Sequence, residues 1–395
     1  MRRPPLVSPV LTRRGLLSSA AATVFVAGCE APAVLPGVGT GPETDPSGPA
    51  RVALLVPGGG ESDRQTLARN LENAARMARA DLQGVEMDLR VYQTGGEPQR
   101  AASEASRAIS DGAQIILGPL FADATRAVAP VAAEAGVNVL SFSNNPDVAG
   151  GNVFLLGAMF ENTATRLLGY AAGQGRGSVM IVSEQSEAGR IAEQAIQRAA
   201  TRTGATIAGT QSYAFSQQGI VDALPQISST ARNSGADSII FTAGSEGALP
   251  LLAELLPQNS ISNEDYQFMG LTRWDIPPAT MELSGLQGGW FALPDPRLNE
   301  QFERRYEAAH GSRPNPVAAL GYDGVAAVGA LARLGGSAPF SAQAITQQSG
   351  FAGVAGVFRF RRDGTNERGL AVAEIRDERR EILSPAPRSF VGGGS

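Results

Sequence analysis

The chain carries one cysteine and one histidine in 395 residues, Cys29 and His310. A single thiol cannot close an internal disulfide, and one imidazole with one thiol cannot furnish a zinc site built on several such ligands. A Ser-His-Asp triad would have to use His310, which precedes Gly311 at the end of a helical stretch. An imidazolium is favourable at a helix C-terminus for structural reasons alone. The run Gly58-Gly59-Gly60 has neither a G-x-G-x-x-G pattern nor a phosphate-loop lysine, so it reads as a flexible rim loop and not as a nucleotide site. A net charge of −5 offers nucleic acid no general attraction. These shortages argue against an enzyme, and neither a cofactor nor a metal is expected.

What is present is a globular composition, with 43% hydrophobic and 18% charged residues. The length exceeds what one growing core accommodates, so two lobes are expected. At the start, Arg2, Arg3, Arg13 and Arg14 precede an apolar run, 16–28, too short to span a bilayer. It ends in Val26-Ala27-Gly28-Cys29, which resembles the bacterial lipobox. That resemblance implies a lipoprotein-type signal peptide over 1–28 and lipidation of Cys29. Glu30 in place of aspartate implies, by the sorting rule of such lipoproteins, attachment to the outer membrane on the periplasmic side. Residues 12–17, Thr-Arg-Arg-Gly-Leu-Leu, are also similar to a twin-arginine export signal, and a general secretory signal stays equally open. Residues 29–50, rich in Pro, Gly, Ala and Thr, read as a flexible linker.

From residue 51 onward, strands and helices alternate. Val52-Ala53-Leu54-Leu55-Val56 is a continuous apolar run, as a strand buried on both faces requires. Leu67, Leu71, Ala74, Ala78 and Leu82 then recur at spacings of four and three, the stripe of an amphipathic helix. Strands at 88–92, 114–117 and 137–142 interleave with helices at 98–111 and 122–135. A second series has strands at 178–182, 205–213 and 237–242 with helices at 163–172, 187–203, 221–233 and 248–256. Short strands at 266–269 and 289–292 are expected near the join of the lobes. Helices follow at 295–310 and 317–334. An Asp363-Gly364 turn then joins alternating runs at 354–360 and 370–375 into a hairpin. Residues 384–395 read as a loose tail. The expected fold class is α/β, two doubly wound parallel-sheet lobes joined by a hinge.

Specific text supports this order. Gly118-Pro119 after a strand, Ser143-Asn144-Asn145-Pro146 after the next, Gly321-Tyr322-Asp323-Gly324 opening an alanine-rich helix, and Gly356-Val357-Phe358-Arg359-Phe360 with Asp363-Gly364 are together similar to the type I periplasmic binding proteins, in the leucine-binding branch. With the lipobox, the chain looks most like the penicillin-binding protein activator lipoproteins. The resemblance implies an N-terminal lobe of 51–158 plus 288–336 and a C-terminal lobe of 159–287 plus 337–383. It implies a non-enzymatic protein that regulates a peptidoglycan synthase or, alternatively, the solute-binding partner of an ABC importer permease for amino acids, amides or short peptides. Ligands of such sheets sit outside the carboxyl ends of the strands. The loops placed there supply the expected cleft residues Ser62, Phe121, Asp123, Ser143, Asn145, Glu187, Ser245, Glu246, Arg273 and Trp274.

By the same resemblance, Ala122 stands at the position of a carboxylate-binding serine and Glu187 at that of a tyrosine. No carboxylate stands at 272–273 to meet an ammonium. Arg273 in the cleft would favour an anionic group, so a small anionic or amide ligand is expected rather than a free α-amino acid. Glu187 and Asp123 have a second explanation as favourable charges at helix starts, and Trp274 as the cap of a loop.

Overall fold

A continuous apolar run needs cover on both faces, and the first strand receives it. In the computed structural model, which describes residues 41, 42, 44 and 48–390, strand β1 (Ala50–Val56) lies inside a five-stranded sheet. Val52, Leu54 and Val56 point to one face, where helices α1 (Ser62–Asp81) and α9 (Ala318–Leu334) supply Leu71, Ala75, Val325 and Val328. Ala53 and Leu55 point to the other, where α2 (Pro98–Ser110) and α3 (Ala122–Glu134) supply Ala105 and Val128. Alanine-rich helix faces let these helices approach the sheet closely. With β2 (Met87–Gln93), β3 (Ile115–Leu117), β4 (Asn138–Ser141) and β5 (Val153–Leu155) the sheet runs β2-β1-β3-β4-β5, all parallel.

The second lobe repeats the scheme. Strands β6 (Ser178–Glu184), β7 (Thr206–Tyr213), β8 (Ser238–Phe241), β9 (Gln267–Gly270) and β10 (Trp290–Leu293) are parallel. Strands β14 (Ala371–Arg376) and β15 (Arg379–Ser384) add antiparallel at one edge, giving the order β15-β14-β10-β9-β8-β6-β7. Helices α4 (Phe160–Gly173) and α5 (Glu187–Thr203) pack on one face; α6 (Gln217–Asn233) and α7 (Leu249–Gln258) pack on the other. The architecture is the expected α/β pair of parallel-sheet lobes.

Several boundaries differ from expectation. The strands expected near the join, 266–269 and 289–292, are β9 and β10 in the interior of the second sheet, so 288–293 belongs to the C-terminal lobe. Helix α8 (Pro296–His310) returns to the N-terminal lobe, where Phe302 and Tyr306 pack with Ala74. Around α10 (Ala342–Ile345) and beyond it, the residues Phe340, Ile345, Phe351, Phe358 and Phe360 also sit in the N-terminal core rather than the C-terminal one. The Asp363-Gly364 turn closes a hairpin, but between β12 (Gly356–Phe360) and β13 (Asn366–Arg368), with β11 (Phe351–Gly353) completing a small antiparallel sheet. The run 370–375 instead crosses to the other lobe as β14, because an edge of β10 was open to it.

The expected linker and tail are partly docked. Thr44 donates its N–H to the Ser337 carbonyl at 2.9 Å, and Ala50 already belongs to β1. Residues 384–390 lie against the body, with Ala386 buried. The signal peptide 1–28, Cys29, most of the linker 29–50 and residues 391–395 lie outside the described residues.

Where the chain passes between lobes, polar side chains are buried and paired. Asp323 of α9 accepts from Arg368 at 3.1 Å and from the Val354 N–H at 2.8 Å. Arg368 also donates to the Leu156 carbonyl at 2.5 Å. Asn366 donates to the carbonyls of Leu155 and Gly157, at 2.8 and 2.7 Å, and accepts from Asn162 at 2.6 Å. The first crossover, 155–157, is therefore bolted to the third, 366–368.

Candidate ligand cleft

The N-terminal wall is made of loops that leave the carboxyl ends of β1, β3 and β4. Gly118 has φ +85°, and a Cβ there would run into the Leu55 carbonyl, so only glycine lets the loop leave β3 this close to β1. Ser141 organises the next loop: its Oγ lies 2.8 Å from Thr125 Oγ1 and accepts from the Ser143 N–H at 3.1 Å. Ser143 Oγ accepts in turn from the Asn145 N–H at 3.2 Å, and Asn145 Oδ1 from the Asp147 N–H at 2.9 Å. Ser143 is buried and Asn145 half-buried, so Asn145 is the more available of the two. Phe121 is half-buried, with the Arg64 guanidinium 5.9 Å from its ring centre. Ser62 is exposed in the first turn of α1, and Asp123 is exposed and paired with Arg126 at 2.6 Å.

The C-terminal wall is dominated by the start of α5. Ser186 accepts from the Gly189 N–H at 2.9 Å, a side-chain cap, and donates to Glu184 at 2.5 Å. Gly189 is required because a Cβ would meet the Glu184 carbonyl. Ser216 and Gly219 repeat the arrangement at the start of α6, at 3.0 Å. Glu187 is exposed and pairs with Arg190 at 2.7 Å, which holds its carboxyl below the usual range. Arg190 is held above its ordinary value first by Glu187 and, more weakly, by Asp147. Asp147 follows β4 of the other lobe, so this attraction reaches across from wall to wall. A groove of about 620 Å³ opens here, lined by Glu184, Ser186, Glu187, Arg190, Glu193 and Ser212. Ser245 donates to the Ile276 carbonyl at 2.6 Å, and Glu246 is exposed beside it.

Two expected cleft residues are elsewhere. Trp274 is fully buried, its ring between Phe241 and Phe291 with centroids at 6.5 Å from each. Gly270 and Gly289 make the room, since a Cβ at either would overlap the indole. Trp274 is a core residue and not a ligand clamp.

Arg273 is not free to clamp an anion, because it forks onto Asp275 at 2.8 and 2.6 Å. Asp275 also takes Arg380 at 2.9 Å, and Arg380 reaches Glu300 of α8 at 2.8 Å. Burial alone would raise the Asp275 pKa, but the two guanidiniums outweigh it and hold the carboxyl below its ordinary value. These groups line a separate groove of about 560 Å³ with Asn299 and Arg313. Arg190 and the exposed Phe215 were missed by sequence reasoning. The doubled Ser-x-x-Gly pattern, 186–189 and 216–219, was the signal that marked both helix starts.

Among the described residues, no group of three or more His, Cys, Asp or Glu is placed to hold a metal ion, and no helix is long and apolar enough to cross a membrane. The sequence profile described as periplasmic binding protein matches residues 49–380. The chain belongs to the periplasmic binding protein family. The family is one of binding proteins, not enzymes. No curated protein matches the chain significantly.

Solved structures of similar fold include a protein from Rhodospirillum rubrum described as a branched-chain amino acid ABC transporter. It is 18% identical, covers 85% of this chain and 100% of its own, and has a TM-score of 0.72. A substrate-binding protein from Desulfitobacterium hafniense in complex with Leu is 21% identical, with coverage of 85% and 100% and a TM-score of 0.62. A solute-binding protein from R. palustris in complex with benzoate is 18% identical, with coverage of 86% and 98% and a TM-score of 0.57. At these identities the likeness is one of fold.

Proposed function

We propose that the protein is the solute-binding component of an ABC transporter and closes its lobes over a small organic acid or amino acid. The observation that carries this reading is the pair of sheets built on parallel strands, one in each lobe, joined by crossovers with buried polar pairs. Facing strand ends give a ligand two walls of loop backbone and small polar groups, with a hinge behind. Leucine and benzoate, held by two of the similar proteins, define the ligand class to try first. Periplasmic residence agrees with the family, and a lipid anchor on Cys29 at the outer membrane is part of the same proposal.

The test is a thermal melt of the purified chain with leucine, isoleucine, valine and benzoate. A ligand that binds only the folded state stabilises it by about 2.7 kcal/mol at a hundredfold excess over Kd. A saturable rise in Tm with one compound supports the proposal, and flat melts across the set refute this ligand class.

A second reading is a regulator of peptidoglycan synthases of the penicillin-binding protein activator type. What favours it is the loss of ligand groups: Ala122 and Glu187 stand at altered positions, while Arg273 and Trp274 are withdrawn. Stimulation of a purified synthase by the chain, with no small-molecule shift, would move the assignment there. The solved structures of similar fold are transporter proteins, which supports the first reading.

A further inference from the structure

The docked end of the chain forms one wall of a groove of about 600 Å³, whose other walls are α4 and the β12–β13 hairpin. The chain contains no lysine, so all 33 of its basic residues are arginines. Four of them, Arg166, Arg359, Arg361 and Arg368, line this groove. Arg166 is held by neutral oxygens: it donates to the Leu370 carbonyl at 2.7 Å, to Ser384 Oγ at 2.6 Å and to the Pro385 carbonyl at 3.2 Å. Arg359 pairs with Glu367 at 2.7 Å and stacks over the Phe390 ring at 4.6 Å. Arg361 shares Glu367 at 3.5 Å and Glu161 at 3.7 Å. Glu161 is already taken by Arg198, at 2.9 Å, and by Arg202. Arg368 is matched by Asp323.

The lining itself carries four guanidiniums against two carboxylates, Glu161 and Glu367. A local excess of two positive charges stands out in a chain of net charge −5. Guanidinium forks match the oxygens of carboxylate and phosphate in pairs. The volume suits a small molecule.

We infer that this groove is a binding site for a small polyanion, one that presents several carboxylate or phosphate oxygens and carries two or more negative charges. Its walls come from both lobes, because α4 belongs to the second and the β12–β13 hairpin packs its phenylalanines into the first. An occupant would therefore shift lobe opening to the extent that it binds open and closed forms differently. The site is distinct from the cleft and does not depend on what the cleft holds.

Citrate and inorganic pyrophosphate serve as probes, the first carrying only carboxylates and the second only phosphates. The full chain is titrated with each by calorimetry, with sodium chloride at matched ionic strength as control. Saturable binding of either probe is expected, and the tighter one names the chemistry. In R359Q/R361Q the affinity falls about tenfold or more, roughly 1.4 kcal/mol. In E367Q, which removes a competing carboxylate, it rises severalfold. Heats no larger than those of sodium chloride would overturn the inference, as would variants that bind like the parent. Should the double variant fail to fold, E367Q decides alone: tighter binding upholds the site and unchanged binding removes it. Leucine or benzoate melts repeated on E367Q keep the cleft's behaviour separate from this result.

Discussion

The hinge and the cleft rim are both rich in polar side chains, yet they treat them in opposite ways. At the hinge, Asp323, Arg368, Asn366 and Asn162 are buried and bonded to one another and to crossover backbone. At the rim, Glu187 pairs with Arg190 and Asp123 with Arg126, each with an i,i+3 neighbour in solvent. Exposed pairs of this kind contribute from nothing to about 1 kcal/mol, so a ligand can displace them at little cost. Buried ones cannot be broken cheaply, because the surviving charge stays out of water. A protein that must hinge without coming apart keeps its expensive polar contacts behind the moving parts and its cheap ones in front.

The largest expected effect breaks the hinge side. Asp323→Ala leaves Arg368 buried opposite the Leu156 carbonyl with its carboxylate gone, and should destabilise by about 3–5 kcal/mol. Urea denaturation measures it. The double change Asp323→Leu with Arg368→Met should cost less than the single one, since no unpaired charge remains. A loss below about 1 kcal/mol in the single variant would erase the contrast with the rim.

Asp275 stands between these extremes, with Arg273 and Arg380 on one carboxylate near the surface. Asp275→Asn keeps the shape but weakens two charge-assisted bonds, and about 2 kcal/mol should be lost near neutral pH. The folded-state pKa is lowered, so this stability is fully present above the unfolded value of about 3.9 and is lost as pH falls through the folded one. Denaturation curves of parent and variant should therefore converge in acid. A gap that widens below pH 4 would contradict the assignment.

Much of this layout was legible in the text, and the failures share a physical cause. Val52–Val56 is apolar throughout and α1 carries a regular stripe, so period alone located these elements and with them the two sheets. The Asp363-Gly364 turn was local chemistry and was found where expected. Its partner strand was not, because β14 pairs with β10, about eighty residues earlier, and nothing near 371 encodes that choice. Trp274 looked like a rim residue since it sits in a loop; the space made for it by Gly270 and Gly289 is tertiary. Residues 384–390 have the proline and serine of a loose tail, yet Arg166 and Arg359, both distant in sequence, hold them. Glu187, Asn145 and Glu246 do stand at strand ends, as the α/β order required.

The smallest effects belong to the rim and sharpen the comparison there. Ser186→Ala removes the cap of α5 and frees the Gly189 N–H, which should cost about 1 kcal/mol by thermal melt. Glu187→Gln, one residue on, should leave stability nearly unchanged, because its partner Arg190 is also exposed to water. The two variants differ more in function than in stability. Removing the Glu187 charge releases Arg190 toward Asp147 of the opposite lobe, which strengthens an attraction between the two lobes. Glu187→Gln should therefore favour the closed form, seen as a smaller radius of gyration by solution scattering, and most clearly at low salt where exposed charges are least screened. Scattering curves identical to the parent at low salt would mean that Arg190 does not set the opening of the lobes.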